Sequence, residues 1–246
     1  MRIKILIVGA ASDIAQATAH QFAANGYDVA LAGRNLEELH RIARDLEIRH
    51  QVNSAVFAFE ATQYDSHQPL IRHVEELFGK LDGVLACHGY LGDQRLGQEQ
   101  FEEARRIIEV NFISCVSLLN AVASLFEARR SGFICAISSV AGDRGRQSNY
   151  LYGAAKGALS LYLQGLRNRL AKSGVAVTTI KPGFVDTKMT EGVEGMFLAA
   201  KPETVARGIY RAITKRKNTV YLPGFWYWIM RIIRSIPEPV FKKMSL

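Results

Sequence analysis

Lys4-Ile5-Leu6-Ile7-Val8-Gly9-Ala10-Ala11-Ser12-Asp13-Ile14-Ala15 decides how the chain is read. Lys4 to Val8 is a short apolar run, read as a buried strand. Small residues follow and lead into a helix, with Ser12 or Asp13 at the cap position. Small residues let backbone approach a pyrophosphate, whose charge suits the amino end of a helix. The match to a glycine-rich dinucleotide turn is partial. Gly9 holds the first glycine position, while Asp13 and Ala15 hold the other two. An acid beside phosphate is unexpected. One reading lets Asp13 cap the helix while phosphates sit on the neighbouring amides of Ala11, Ser12 and Ile14. The competing reading is an ordinary strand-to-helix turn.

Outward from that stretch, strands alternate with helices. Strand-like runs cover residues 27–32, 55–59, 81–87, 133–137 and 175–181. Helical patterns cover 36–48, 66–78, 101–110, 112–130 and 153–172, with an interruption around Asn111. That alternation predicts an α/β fold with a doubly wound parallel sheet. Residues 1–222 are expected to form the main domain, and 223–246 a basic, apolar carboxyl-terminal segment. No linker, repeat or low-complexity tract precedes residue 220.

Composition narrows the function classes. Hydrophobic residues make up 48% of 246, which suits a globular chain with a substantial core. No apolar run reaches membrane-spanning length, and the start runs directly into a strand pattern, so no signal peptide is expected. Cys87, Cys115 and Cys135 are an odd number without metal-like spacing. They read as buried, reduced thiols of a cytoplasmic protein with no metal site. Net charge is +8, yet residues 1–200 hold 21 basic and 21 acidic side chains. The excess lies in 201–246, with 10 basic and 2 acidic. A nucleic-acid binder would spread its basic residues over a face of the fold.

The chemistry-bearing stretch is Ile137-Ser138-Ser139, a loop, then Tyr152-Gly153-Ala154-Ala155-Lys156. On a helix, Tyr152 and Lys156 share one face. A neighbouring lysine charge favours a phenolate and makes tyrosine usable as an acid. Ser139 ends a strand-like run, so its hydroxyl belongs at the carboxyl edge of the sheet, where ligands bind. A hydroxyl and a phenol aimed at one point suit a carbonyl oxygen that gains charge as hydride arrives. By itself Tyr-x-x-x-Lys is a short pattern, and most copies are a surface tyrosine and a solvated lysine. Gly33-Arg34-Asn35 ends the second strand without the acidic residue that usually takes a ribose 2′-hydroxyl. Arg34 suits a 2′-phosphate instead. Glu60-Ala61 could border an adenine, and His88-Gly89 closes the fourth strand, His88 as a structural residue or an acid-base group.

In this order and spacing, Gly9, Asn111, Ser139, Tyr152, Lys156, Pro182-Gly183 and Thr187 resemble the short-chain dehydrogenase/reductase family over nearly the whole chain. The resemblance implies a Rossmann fold, an NADP or NAD cofactor and homo-oligomers paired through long helices. It implies that Tyr152 donates the proton and that Lys156 assists it and holds the nicotinamide ribose. Ser139 would orient the carbonyl and Asn111 hold a relay water. Pro182, Gly183, Val185 and Thr187 would lie along the nicotinamide, with Thr187 at the carboxamide. Ala86-Cys87-His88-Gly89 departs from the usual Asn-Asn-Ala-Gly. Within the family, the segment from Ser139 to Asn149, the Leu91-Gly92-Asp93 turn and the tail from Ile236 to Lys243 resemble the decaprenylphosphoryl-2-keto-ribose reductases. That branch implies a keto-sugar on a polyprenyl phosphate as substrate and a flavin oxidase as partner. A soluble reductase of 3-oxoacyl thioesters or small ketones is the first rival; a non-catalytic, NADP-sensing interaction protein is the second.

Two further expectations concern cations. Arg144 and Arg146 lie between Ser139 and Tyr152 and are candidates for a substrate phosphate, with solvated loop charges as the plain alternative. From Phe225 to Ile236 the tail is mostly apolar, and as a helix it gathers Arg231, Arg234 and Ser235 on one face. It suits a helix lying in the membrane interface at the inner face, with a wall packed on the fold or a subunit contact as the plain alternative.

Overall fold

The computed structural model describes residues 2–190 and 198–244. Seven parallel strands form one sheet in the order β3-β2-β1-β4-β5-β6-β7. They are β1 (Lys4–Val8), β2 (Asp28–Gly33), β3 (Ser54–Ala58), β4 (Gly83–Ala86), β5 (Phe133–Ile137), β6 (Ala176–Pro182) and β7 (Thr219–Leu222). Strand order reverses at β1, which pairs with β2 on one side and β4 on the other. A parallel sheet opens its ligand crevice at such a reversal, outside the carboxyl ends of the strands.

The expected doubly wound architecture is present, and β1 shows why its sequence is apolar throughout. Successive strand residues face opposite sides of the sheet. Ile5 and Ile7 pack with Phe22, Leu39 and Ile209, from α1 (Asp13–Ala23), α2 (Leu36–His50) and α8 (Pro202–Thr214). Leu6 and Val8 pack with Val74, Leu118 and Leu163, from α3 (His67–Phe78), α6 (Ser114–Arg129) and α7 (Tyr150–Ala171). With helices on both faces, neither side of the strand can be polar.

The interruption expected at Asn111 is a π-turn, Glu109–Ile113, joining α5 (Phe101–Ile108) to α6. Helix α7 begins three residues before the expected Gly153, which places Tyr152 in its first turn. A short α4 (Gln94–Glu99), α8 and β7 are additions to the expected elements. The tail forms α9 (Trp226–Ser235) and α10 (Glu238–Phe241). Helix α9 buries Trp226 and Met230 against Val140, Phe184 and Tyr221. A Cβ built at Gly183 would fall inside the Trp226 indole, so that glycine admits the ring beside β6.

Candidate active site

Four segments meet at the carboxyl edge of the sheet. The first is the β1–α1 turn. Gly9 takes a positive φ of 76°, and a side chain there would stand 2.5 Å from the His88 backbone nitrogen. Glycine therefore lets two strand ends close on each other. Ser12, not Asp13, caps α1, its hydroxyl accepting from Ala15 N at 3.4 Å. The Asp13 carboxylate instead accepts from Lys188 N at 2.8 Å, across 175 residues of sequence. It ties the loop after β6 to the amino end of α1, which resolves why an acid stands in a glycine's place.

The second and third segments are the end of β5 and the start of α7. Ser138 is buried, and its hydroxyl donates to the Lys156 carbonyl at 2.9 Å and shares a 2.7 Å bond with Ser160. This stitch holds α7 against the strand end. Lys156 is 3% exposed, and its Nζ donates to the Ile137 carbonyl at 3.0 Å. The same nitrogen lies 5.7 Å from the centre of the Tyr152 ring. A buried cation with one backbone acceptor and a phenol above it is unlike a solvated lysine. Ser139 accepts from Ala141 N at 3.1 Å and so starts a 3-10 turn, Val140–Asp143.

The fourth segment is the π-turn. Asn111 is fully buried; its Nδ2 donates to Tyr90 O at 2.5 Å and Ile107 O at 2.8 Å, and its Oδ1 accepts from Tyr90 N at 3.1 Å. The Asn111 side chain is thus engaged in fixing the loop after His88. His88 itself is packed on Phe59 and bonded through Nε2 to Ser114 Oγ at 2.8 Å. Burial, then the Lys156 charge, pushes its pKa down to about 3, so the ring is neutral. A neutral imidazole bonded to Ser114 suits a structural residue. Burial likewise pushes the Cys87 thiol up to about 12.

These segments border one continuous cleft. Its inner part, about 270 Å³, is lined by Ile14, Ser139, Tyr152, Lys156, Pro182, Gly183, Val185 and Thr187. The outer part, about 460 Å³, is lined by Gly9, Gly33, Arg34, Glu60 and Ala61. Ala11, Ser12, Cys87, His88, Gly89 and Met189 border both. Asp13 lines the inner part as well. Arg34 is exposed at the outer end, with no ion pair among the described residues. The Glu60 carboxylate faces its own loop, 3.4 Å from Thr62 N.

A family model for short chain dehydrogenases matches residues 4–196. The chain belongs to the short-chain dehydrogenase family. This dehydrogenase is 32% identical to an uncharacterised oxidoreductase of Mycobacterium tuberculosis over 244 residues, 98% of this chain and 96% of the relative. It is 31% identical to an uncharacterised oxidoreductase of Staphylococcus haemolyticus over 211 residues, 85% and 90% of the two chains. A short-chain dehydrogenase of Sphingobium yanoikuyae, solved with NADPH, superposes with a TM-score of 0.81 at 22% identity, covering 98% of this chain and 96% of that one. An actinorhodin polyketide ketoreductase with NADPH gives 0.82 at 19% identity, covering 91% and 97%. At that identity the last two speak to the fold alone.

The two loop arginines of this dehydrogenase do not behave alike. Arg144, expected at a substrate phosphate, caps the tail. Its Nη1 donates to the carbonyls of Ile233 at 2.7 Å and Ile236 at 2.6 Å, its Nη2 meets Glu238 at 3.1 Å, and it stacks on Phe241. Most of this guanidinium is thus engaged by the tail. Arg146 ends against the Met230 sulfur at 3.5 Å. Sequence reasoning also missed Ser138 and a buried ion pair between Asp143 and Lys181, to which Tyr221 adds a 2.7 Å bond. Lys181 stands just before Pro182-Gly183, and Asp143 four residues after Ser139; nothing local in either stretch announces the pairing.

Proposed function

We propose that this dehydrogenase is an NADP(H)-preferring carbonyl reductase. The observation that carries the reading is Lys156, buried beside Tyr152 and facing a cleft that Ser139 also lines. A dinucleotide suits the cleft. Gly9 leaves room no side chain could share, and the amino end of α1 opens on it. Ser12 and Ile14 would hold the pyrophosphate, Gly9, Ala11, Glu60, Ala61, His88 and Gly89 would border the adenosine side, and Pro182, Gly183, Val185 and Thr187 the nicotinamide. Asp13 acts by holding the Lys188 loop down over that space. Arg34, exposed and without an acid beside it, would take a 2′-phosphate. When bound, the reduced nicotinamide supplies a hydride to the carbonyl carbon.

The chain's own residues then manage charge and proton. Ser139 and Tyr152 aim hydroxyls at the carbonyl oxygen as it gains charge. Tyr152 gives that oxygen its proton, and the Lys156 charge stabilises the phenolate left behind. Asn111 contributes by fixing the loop after His88 and holding the π-turn. Water relay through Asn111 belongs to its backbone in this reading, since its side chain is committed.

The substrate is proposed to be a polyprenyl-phosphate-linked keto-sugar, oxidised beforehand by a flavin enzyme. Support comes from sequence resemblance in the Ser139–Asn149 loop and the tail, and from the outward face of α9. There Trp228 and Ile232 are 63% and 66% exposed, with Arg231 against Trp228. Such a face suits the lipid interface at the cytoplasmic side. Residues 1–222 would then be the reductase domain and 223–246 its membrane-facing edge, in a homo-oligomer paired through α6 and α7. The test is NADPH oxidation with extracted polyprenyl-phosphate keto-sugar beside 3-oxoacyl thioesters and small ketones. Preference for the lipid substrate is expected. Preference for a thioester would move the reading to a soluble reductase, and turnover of none would reject catalysis.

A further inference from the structure

Arg146 is the one guanidinium of the Ser139–Tyr152 loop that the fold leaves unanswered. Its Nε is buried without an acceptor, and the contact of its Nη2 is a thioether, a weak acceptor. Asp143, the nearest acid by sequence, is already taken by Lys181 through one oxygen and by the Tyr221 hydroxyl through the other. No carboxylate pairs with Arg146 among the described residues. Burial holds its pKa below the usual arginine value, against a smaller opposing pull from the Asp143 charge. A buried donor without a partner is destabilising, and a charged one more so. Folding therefore keeps Arg146 at a cost that an arriving anion would remove.

Its position says which anion. Met230, on which it rests, packs with Val140 and Trp226, and Val140 follows Ser139 directly. Trp226 in turn lies against Gly183 on the nicotinamide side of the cleft. Arg146 therefore sits behind the Ser139 turn, joined through Met230 to the Val140 and Trp226 cluster and so to the Gly183 side of the cleft, away from the Arg34 end.

We infer that Arg146 is the recognition residue for an oxyanion, phosphate or carboxylate, carried by the carbonyl substrate. A planar fork of donors matches either group and distinguishes charged substrates from neutral ones of similar shape. The inference rests on the carbonyl-reductase reading for what lies beside the anion, but not for the anion itself.

The test is calorimetric binding to the full chain saturated with NADP, so that cofactor phosphate sites are filled and no turnover is needed. Two matched pairs serve as probes: dihydroxyacetone phosphate against dihydroxyacetone, and levulinate against 2-pentanone. The charged member of at least one pair should bind roughly tenfold or more tightly than its neutral mate, as a charge-assisted contact implies. Arg146→Met should abolish that preference while NADP and neutral-ketone affinities stay within about twofold, and Arg146→Lys should retain part of it. Equal binding within both pairs, no detectable binding of either anion, or a preference that survives Arg146→Met overturns the inference. Should the methionine variant not fold, wild type and Arg146→Lys still decide it. Failure of the reductase reading would appear separately, as intact anion binding without turnover of any ketone.

Discussion

His88 shows how a single side chain writes a pH dependence into the fold. Its pKa is 6.5 in an open chain and about 3 in the folded protein, chiefly through burial. Between those values the unfolded chain holds the extra proton. Stability is therefore complete above pH about 6.5 and declines as pH falls toward about 3, at up to about 1.4 kcal/mol per pH unit. His88→Asn, which can still donate to Ser114, should remove most of that slope in urea denaturation between neutral pH and about pH 5; His67 and His20, also lowered by burial, leave a remainder of the same sign. An unaltered slope would refute the assignment. At Tyr152 the prediction is kinetic. Tyr152→Phe should lower kcat by roughly 10²–10⁴ with the melting temperature unchanged, and near-normal turnover would end the proposed mechanism. Arg34→Ala should weaken NADPH about tenfold while sparing NADH, as loss of one charge-assisted contact implies; equal losses on both would count against a 2′-phosphate role.

At the scale of elements, α9 depends on a residue ninety positions upstream. Arg144 satisfies carbonyls that a helix end leaves open. Arg144→Ala should lower stability by about 1.5–3 kcal/mol and expose the tail to proteolysis, without a selective effect on phosphorylated substrates. If KM for a charged ketone rose while stability held, the capping role would be wrong. The contrast with Arg146 marks what a sequence displays. Elements were legible where their signal is local: the all-apolar β1, the amphipathic α2, the Tyr152/Lys156 pair one helical turn apart. Helix α8 was legible too, through Pro202 at its first turn and Val205, Ile209 and Ala212 at helical spacing, but went unread. Strand β7 was not, being four residues long and half exposed at the sheet edge. At the site, the Asp13–Lys188 bond and the Asp143–Lys181–Tyr221 cluster join residues far apart in sequence. Their partners exist only once the sheet has formed, so Asp13 reads locally as a cap and Arg144 as a free cation.

For the whole molecule, the uneven charge becomes a shape. The acid-poor carboxyl end wraps the turn that follows Ser139, buries Trp226 and Met230 against Val140, Phe184 and Tyr221, and turns Phe225, Tyr227, Trp228 and Ile232 outward. Within 223–246, four basic residues, Arg231, Arg234, Lys242 and Lys243, stand against the single acid Glu238 and give this end its sign. Each cation near an anionic bilayer contributes roughly 1 kcal/mol. The intact protein should therefore co-sediment with phosphatidylglycerol vesicles at low salt and dissociate as salt rises. Trp228→Ala combined with Ile232→Ala should abolish binding while leaving the inward face of α9 intact. Indifference of the wild type to such vesicles would make α9 a packing element only. The same wrapping also bears on synthesis. The turn that begins at Ser139 is held by Lys181, by Tyr221 and, through Arg144, by the chain from Ile233 to Phe241. A ribosome delivers these anchors late, well after β1 to β5 have emerged and can begin to fold. The first five strands can thus pair before the Ser139 turn has any of its anchors, which arrive with β6, β7 and the last two helices.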